Sequence, residues 1–478
     1  MASVLVPITI GGTDMMIAGS GAIGSYHLLD ISGTQARLVD SYTLSTRGGN
    51  FALTDAAIVD LGGQIRLYGA SRTGQQLDVQ RIGEGGGLTA MGPLKTVSGE
   101  RMEVSVLEPL QLGGVTYMAT AAHDRNTVDL IRLPASGAPE LVVRTADTPK
   151  STLDGVSDLA SLTIDGEVYL IAASSRKDGL SSFHLGAGGT IELSDTLTPR
   201  DGLWVDGLDA LAVTELGGIS YIIAGSAAAG SLSVIRINAL GVMFITDQML
   251  DTRDTRFDYV SRIETVTYNG RSLIVAGGGD GGISLLELMP DGTLFHHKSL
   301  EARTEWSGFS GGVTGLSAHV DGTRLEIFIG GAGGVSQFEL SLADMGGILR
   351  GTTANERLTG GAGDDLIYGA GGNDTLVGGA GDDLIFAGAG RNTLTGGAGD
   401  DIFHIGPSDQ YSQITDFEQG HDRIDLGDWG RIYDMSALTI SERSYGAEIS
   451  FGSITLRVSV TGGGPIPIAE WTQDDFLF

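Results

Sequence analysis

A four-residue pattern of apolar and polar positions recurs along the first 350 residues. It consists of an apolar residue, then Ser, Thr or Asp, then any residue, then usually a larger apolar residue. Such a constant period predicts a repeat architecture. The seven copies are 51 to 53 residues apart and begin at Ala2, Leu53, Val104, Val156, Leu208, Val260 and Val313.

Each period contains four short β-rich runs and no convincing amphipathic helix. The fourth period shows them most clearly, as VSDLASLTI, EVYLIAAS, GLSSFHLG and TIELSDTLT, with a turn at Asp165-Gly166. Four strands per repeat describe the blade of a β-propeller. We therefore predict an all-β chain in which residues 1–350 form a seven-bladed β-propeller. Two tandem β-sandwiches are the alternative, but they would not explain the constant period. The first period starts at its innermost strand, so the seventh should take its outer strand from Leu342–Leu349.

The second position of the pattern is polar in all seven copies. These side chains could line a central channel and bind a ligand or ion. They could instead tie adjacent blades together or fill the narrow axis, and we favour this second interpretation. The residues are Ser3, Thr54, Ser105, Ser157, Asp209, Ser261 and Thr314.

A shorter period of nine residues runs through residues 351–404. From Gly360 the nonapeptides read GGAGDDLIY, GAGGNDTLV, GGAGDDLIF, AGAGRNTLT and GGAGDDIFH, preceded by GTTANERLT. Glycine lets carbonyl oxygens approach a cation, and Asp at the sixth position adds the carboxylate oxygen that Ca²⁺ prefers. A flexible Gly-rich linker would not keep the Asp and apolar positions in phase. The candidate calcium-site residues are Gly361, Gly363, Asp365, Gly372, Asp374, Gly379, Gly381, Asp383, Gly390, Asn392, Gly397, Gly399 and Asp401.

The eighth position of every nonapeptide is apolar and should line a narrow core. It is occupied by Leu358, Ile367, Leu376, Ile385, Leu394 and Phe403.

These repeats resemble the hemolysin-type nonapeptides of the RTX family of secreted calcium-binding proteins. The resemblance implies a parallel β-roll with two nonapeptides per turn, so that each repeat stacks on the next but one. We expect well-formed calcium sites on one edge and weaker or missing sites on the other. Stacked like charges about 5 Å apart repel by roughly 1 kcal/mol in water, so calcium should be required for folding. The two edges are Asp365, Asp383 and Asp401, and Glu356, Asp374 and Asn392 with Arg391.

Residues 405–478 are expected to form a small β cap on the roll. The runs LTISE, AEISFG and ITLRVSV alternate in polarity, as in an antiparallel sheet. The segment ITDFEQGHDRIDLGDW resembles the D-F-x-x-G-x-D-x-I-D-L segment that caps the roll of secreted RTX proteases. The residues Asp474 to Phe478 are similar to RTX export signals. The resemblance therefore implies export by a type I secretion apparatus.

Composition narrows the classes of partner and compartment. The formal charge of −30, without a basic run, makes nucleic acid an improbable partner. The chain has no cysteine, which excludes a disulfide framework and a thiol nucleophile. The first basic residue is Arg37 and no apolar run approaches ~20 residues, so neither a cleaved signal nor membrane insertion is expected. We expect a secreted protein, with association to the cell surface as one variant.

One face of the predicted propeller collects cations and aromatic residues. The connections between blades and the loops between second and third strands lie on this face and hold 11 of the 29 Lys and Arg residues. Arginine forks could contact carboxylate or sulfate groups, and tryptophan could stack on sugar rings. The alternative is that each Arg pairs with a neighbouring acid and only fixes its loop. The candidate ligand-binding residues are Arg47, Arg101, Arg125, Arg200, Trp204, Arg256, Arg303 and Trp306.

Catalytic motifs are weak. Gly308 to Gly312 matches G-x-S-x-G but lacks a strand–turn–helix setting, and the best acid–base cluster is His123 with Asp124, Arg125 and Glu264. We therefore name no catalytic residue. The favoured function is a secreted calcium-binding protein whose propeller is a binding or assembly module, for example for anionic polysaccharide or for self-assembly. The alternative is an extracellular hydrolase or lyase, lactonase-like or polysaccharide-degrading, acting at the central opening.

Overall fold

The computed structural model describes the chain except residues 1, 22–23, 34–35, 44–52, 72–76, 96, 98, 100–102, 302–310, 408–411, 431 and 433. The chain divides into two compact units. One comprises Met1–Tyr268 and Ser272–Leu340, and the other Asn269–Arg271 and Ser341–Phe478. Among the described residues, no helix has the length and apolarity needed to cross a membrane.

The first unit is a seven-bladed β-propeller, as predicted. Within a blade, successive strands pair in chain order. Blades one to three contain β1–β4 (Ala2–Ile10, Thr13–Ser20, Ser25–Asp30, Arg37–Thr43), β5–β8 (Leu53–Asp60, Ile65–Ser71, Asp78–Ile82, Leu88–Pro93) and β9–β12 (Val106–Leu112, Val115–Ala121, Thr127–Arg132, Glu140–Ala146). Blades four to six contain β13–β16 (Val156–Ile164, Glu167–Ser174, Gly179–Leu185, Ile191–Leu197), β17–β20 (Leu208–Leu216, Ile219–Ser226, Ser231–Ile237, Met243–Leu250) and β21–β24 (Arg262–Tyr268, Arg271–Gly277, Gly282–Leu288, Leu294–Glu301).

Local sequence explains the blade. The middle strands are mostly apolar because both of their faces are covered, and every residue of β22 and β23 is buried. Outer strands such as β16 are half exposed and alternate in polarity. The turn predicted at Asp165-Gly166 is confirmed, with φ of 52° and 86° at its two residues. Positive φ at both central residues is typical of the tight turns that join hairpin strands.

The seventh blade differs from the prediction. It contains three strands, β25–β27 (Gly315–Asp321, Arg324–Gly331, Gly334–Ser341). The prediction that Leu342–Leu349 supplies the outer strand of this blade is wrong, because β28 (Met345–Arg350) pairs in parallel with β30 (Asp364–Tyr368) of the second unit. The reason is in the sequence: Leu349 lies nine residues before Leu358, so the apolar phase of the nonapeptides begins one repeat earlier than we read it.

The second unit is a parallel β-roll with a β cap. Strand partners within the repeats are 18 residues apart, as in Ile367↔Ile385 and Leu376↔Leu394, so two nonapeptides make one turn. One sheet contains β28, β30, β32 (Leu384–Phe386), β34 (Ile402–His404), β36 (Arg423–Asp425) and β40 (Phe476–Leu477). The other contains β29 (Arg357–Thr359), β31 (Thr375–Ala380), β33 (Thr393–Ala398), β35 (Gln413–Ile414) and β37–β39 (Thr439–Arg443, Gly446–Phe451, Ile454–Ser459).

The core of the roll follows the eighth positions of the repeats. Ile367, Leu376, Ile385, Leu394 and Phe403 are fully buried in one cluster, and Leu358 packs against it. The cap continues both sheets: β39 pairs in parallel with β35, and the C-terminal β40 pairs in parallel with β36. The segment that resembles an export signal is therefore a docked strand in this fold.

Candidate functional site

The polar ring at the propeller axis ties adjacent blades together. In several inner strands the polar residue is skipped by the strand ladder, as when pairing passes from Leu53 to Asp55, and a bulged residue is free to point elsewhere. Five of the seven side chains donate to a carbonyl oxygen of the next blade: Ser3 to Leu53 (2.9 Å), Thr54 to Ser105 (2.8 Å), Ser157 to Leu208, Ser261 to Val313 (2.9 Å) and Thr314 to Ala2 (2.6 Å). The favoured interpretation of this ring is confirmed, and the bond from Thr314 closes it.

A second set of bonds between blades uses carboxylates that the sequence analysis did not single out. Asp55 accepts the backbone N–H of Leu107 at 2.7 Å, and Asp158 accepts that of Leu211 at 2.7 Å. Burial raises the pKa of Asp55 to about 6 and that of Asp158 to about 8, and the Asp55 charge adds to the second shift. Each acid therefore joins two blades while facing the axis.

The axis encloses a cavity of about 740 Å³. Asp55, Asp158 and Glu264 line it together with Arg262 and His123. Burial raises the pKa of Glu264 to about 7. His123 and Glu264 of the proposed acid–base cluster thus border one cavity, whereas Arg125 pairs with Glu103.

The cations of the connection face are mostly paired where the structure describes them. Arg125 pairs with Glu103 and Arg256 with Glu301. For Arg200, no ion pair occurs among the described residues. The candidates Arg47, Arg101, Arg303 and Trp306 lie outside the described residues.

Trp204 is an exposed indole on a fixed backbone. Its side chain lies on the connection from blade four to blade five, and the residue is 54% exposed. The backbone N–H of Trp204 donates to Gln248 Oε1 at 2.5 Å, and the backbone carbonyl of Trp204 accepts from Ser231 Oγ at 2.8 Å. Gln248 also donates to Gly202 O at 3.0 Å. The backbone of this connection is therefore held to blade five by hydrogen bonds at Gly202 and at Trp204.

The next connection, from blade five to blade six, presents a second aromatic residue. Tyr259 is 61% exposed and has φ of 51°, and Leu250 just before this connection is 51% exposed. A positive φ at a bulky residue is uncommon and strained, and such residues concentrate at functional sites. Trp204 and Tyr259 thus present exposed aromatic rings on the two connections of blade five.

In the roll, the sixth-position acids of the first edge form a hydrogen-bonded column. Asp383 Oδ1 accepts from Asp365 N at 2.8 Å, and Asp401 Oδ1 accepts from Asp383 N at 2.9 Å. The column continues to Asp422, whose Oδ1 accepts from Asp401 N at 3.1 Å. The repeat spacing does not predict Asp422 as part of this column, because Asp422 follows Asp401 by 21 residues instead of 18.

The second oxygen of several acids has no partner in the protein. Asp374 Oδ2, Asp383 Oδ2 and Asp401 Oδ2 are buried without a hydrogen bond. The pKa of Asp383 and of Asp401 is raised to about 7, mainly by burial and also by neighbouring aspartates, against the lowering effect of their backbone hydrogen bonds. A buried carboxylate oxygen without a donor is costly unless a cation is bound.

Glycine backbone completes each of these cradles. A Cβ on Gly378 would overlap Asp383 Oδ2, and a Cβ on Gly396 would overlap Asp401 Oδ2. Gly379 and Gly397 have φ of 126° and 118°, and their Cα atoms face the carbonyl oxygens of the preceding turn. In the described part of the chain, no three His, Cys, Asp or Glu side chains converge on one point. Each cradle combines a sixth-position carboxylate with nearby backbone carbonyl oxygens, a donor set that fits calcium.

A family model decides the identity of this region. Residues 350–385 and 377–406 match the RTX calcium-binding nonapeptide repeat, in four copies. The roll is built from RTX calcium-binding repeats. In the RTX repeats of this chain, Asp365, Asp374, Asp383 and Asp401 occupy the sixth position.

Comparisons of the whole chain give only distant similarities. No curated protein matches it. A solved structure of a protein from Lactobacillus plantarum is 15% identical, with a TM-score of 0.48, covering 63% of this chain and 85% of that one. A Bacteroides uniformis protein described as a putative 6-phosphogluconolactonase has the same values. Similarities this distant support no inference about activity.

The second edge of the RTX roll is not uniform. The sequence analysis grouped Asp374 with Asn392, but the structure separates them. Asp374 accepts from Glu356 N at 2.8 Å and keeps an unpaired Oδ2, as on the first edge. Asn392 accepts from Asp374 N at 2.9 Å and donates through Nδ2 to Ala387 O and Gly388 O at 2.9 and 3.1 Å.

The last RTX repeat ends at a part-buried histidine held between two carboxylates. His404 Nδ1 lies 2.9 Å from Asp425 Oδ2, and its Nε2 lies 3.3 Å from Asp428 Oδ2. Burial opposes the charge on the ring, but the two carboxylates outweigh burial and raise the pKa of His404 to about 10. The ring stacks on Phe386 at 4.3 Å. This ionic cluster links the last repeat to the segment that begins the cap.

Proposed function

We propose that this chain is an extracellular RTX protein, exported by a type I secretion apparatus, whose propeller binds an acidic glycan on its connection face. The one observation that carries the binding role is the exposed Trp204 on a backbone fixed by hydrogen bonds. An exposed aromatic side chain on a rigid backbone loses little entropy on binding.

The calcium cradles support the extracellular location. Each cradle combines carboxylate with neutral backbone carbonyl oxygens, and calcium affinity falls as the number of charged ligands falls. Extracellular calcium modules work at dissociation constants of about 10⁻⁴ to 10⁻³ M. RTX sites of this composition therefore suit the calcium concentration outside cells.

An acidic glycan suits the chemistry of the face better than a neutral one. Arg200 lies four residues before Trp204 on the same connection, and the guanidinium of Arg125 is part exposed beside Glu103. Exposed ion pairs are weak, so a sugar carboxylate or sulfate could replace the glutamate. Guanidinium forks bind such groups with two hydrogen bonds.

The test is a glycan array probed with the full chain in calcium. We expect binding to acidic oligosaccharides that Trp204→Ala reduces more than tenfold. Leu240→Ala is the matched control, because Leu240 is 75% exposed in the turn between β19 and β20, away from the connections of the same blade. Unchanged binding by Trp204→Ala, or no glycan binding at all, would remove this proposal. Concentration-dependent self-association in its place would favour an assembly role.

Export is tested separately by co-expression with a type I apparatus. The full chain should reach the medium, whereas a variant lacking residues 405–478 should stay in the cells. Equal amounts of both in the medium would contradict export through a signal in this segment.

The axial cavity favours one alternative function, a hydrolase or lyase. Asp158 and Glu264 line a cavity of about 740 Å³ and have pKa values of about 8 and about 7, and such groups are suited to proton transfer near neutral pH. Turnover of a lactone or polysaccharide that is lost in Glu264→Gln would support this alternative. Turnover that is unaffected by Glu264→Gln would count against it.

A further inference from the structure

Two departures from the RTX consensus fall in one nonapeptide, Ala387 to Thr395. Its first position is Ala387, where the other four nonapeptides from Gly360 onward have glycine, and its sixth position is Asn392, where they have aspartate. The structure gives a reason why these two changes occur together.

The first-position glycine makes room for Oδ2 of the sixth-position carboxylate. A Cβ on Gly378 would overlap Asp383 Oδ2, one on Gly396 would overlap Asp401 Oδ2, and one on Gly360 would lie 2.6 Å from Asp365 Oδ2. Ala387 carries such a Cβ, and the residue is fully buried. An aspartate at position 392 would therefore have to move its carboxylate away from the position that Asp383 holds.

The side chain of Asn392 forms hydrogen bonds with the backbone groups around it in this turn. The residue is 2% exposed. Its Oδ1 faces the N–H of Asp374, so its Nδ2 must be the atom that faces Ala387 O and Gly388 O. Both amide hydrogens thus point at carbonyl oxygens, whereas the matching Oδ2 atoms of Asp374, Asp383 and Asp401 have no partner. A donor that contacts two carbonyls removes the need for a cation there.

We propose that the nonapeptide Ala387–Thr395 is a calcium-free turn of the roll, in which the carboxamide of Asn392 replaces the ion and Ala387 excludes an ion-binding carboxylate. This turn holds its shape before calcium arrives. The roll then binds one ion fewer than its number of repeats suggests.

The experiment compares variants of the full chain by calcium stoichiometry, measured by equilibrium dialysis, and by melting temperature in chelator. Ala387→Gly/Asn392→Asp should bind one more calcium than the wild type and melt lower in chelator. Asn392→Asp alone should gain no calcium, because the Ala387 Cβ remains. Asp401→Asn, the control at an ion-ready position, should lose one calcium.

The outcomes separate the proposal from its opposite. A gain of one ion by Asn392→Asp alone, or no gain by a folded double variant, overturns it. If the double variant does not fold, Asn392→Ala decides. It should keep the wild-type calcium count and melt lower in chelator, and a loss of bound calcium would contradict the proposal.

Discussion

The propeller and the roll satisfy their buried polar groups in different ways. At the propeller axis, Ser3, Thr54 and Thr314 donate to carbonyl oxygens of the next blade, and Asp55 and Asp158 accept backbone N–H groups. In the roll, Asp374, Asp383 and Asp401 each keep one buried oxygen without a donor. The axial groups of the propeller are therefore joined by the polypeptide itself, whereas the acids of the RTX roll keep anionic oxygens that calcium can bind, and we expect calcium to stabilise the roll.

Replacing one ion-facing oxygen should have the largest effect. Asp383→Asn keeps the acceptor for Asp365 N but puts an amide where the cation would bind, so the roll loses that ion. An ion present at about 100 times its dissociation constant contributes about 2.7 kcal/mol, and the calcium-dependent gain in unfolding free energy should fall by about this amount. The measurement is denaturant unfolding with and without calcium.

The matched control for this change is Asp382→Asn. Asp382 is the exposed neighbour whose Oδ1 accepts from Asp400 N at 2.8 Å. Its replacement should leave the calcium-dependent gain within about 0.5 kcal/mol. An equal loss in both variants would show that the effect is general charge removal.

The propeller should show a pH dependence that calcium does not alter. The folded-state pKa of Asp158 is raised to about 8 by burial and by Asp55, so ionising it costs more in the folded than in the unfolded chain. The contribution of Asp158 to the free energy of unfolding is greatest below the pKa that this group has in the unfolded chain. This contribution is lost as the pH rises towards 8. The melting temperature of the propeller should fall by roughly 2–6 °C between pH 5 and pH 8, as measured by calorimetry with calcium present.

Asp158→Asn tests the source of that dependence. The amide keeps an oxygen for the N–H of Leu211 but does not ionise in this range. The fall in melting temperature should become smaller. A pH dependence that remains unchanged would assign the effect to other groups.

The hydrogen bond from Thr314 to Ala2 O, which closes the ring, should contribute about 1 kcal/mol to the free energy of unfolding of the propeller. Thr314→Val keeps the shape of the side chain but removes the donor to Ala2 O, and the propeller should lose that amount with and without calcium. Thr54→Val, which removes a bond between blades two and three, gives the comparison for a position away from the closure. If calcium abolished this loss of unfolding free energy, the stability of the propeller would depend on the roll, and the contrast between the two regions would be contradicted.

The smallest effect is expected for the exposed ion pair on the connection face. Arg125→Gln removes the contact with Glu103, in which both side chains are about two-fifths exposed. Such pairs contribute less than about 1 kcal/mol. A propeller melting temperature within 1–2 °C of the wild type is expected, so a loss of glycan binding in this variant would report a ligand contact.

The sequence predicts those features that depend on a repeating register. The spacing of Ser3, Thr54 and their counterparts predicts the blades and the axis, and the eighth positions predict the core of the roll. It does not predict the partner of β28, since Leu349 fits either a propeller strand or the nonapeptide phase. Asp422 is hidden because an insertion changes the 18-residue spacing to 21.

Site chemistry is predicted less completely, because it depends on neighbours distant in sequence. Asp374 and Asn392 look equivalent as members of one edge. They differ because Gly369 leaves a Cβ position 3.2 Å from Asp374 Oδ2, whereas Ala387 fills the equivalent space. The raised pKa of Asp55 likewise arises from burial at the axis, which no local pattern reports.

Hydrogen–deuterium exchange of the full chain, with calcium and with chelator, tests the contrast most directly. In chelator, amides of β30 to β34 should exchange at least tenfold faster, and amides of the middle blade strands β14, β18 and β22 should keep their protection. Equal protection of the roll in both conditions, or a loss of protection in the propeller on chelation, would contradict the account.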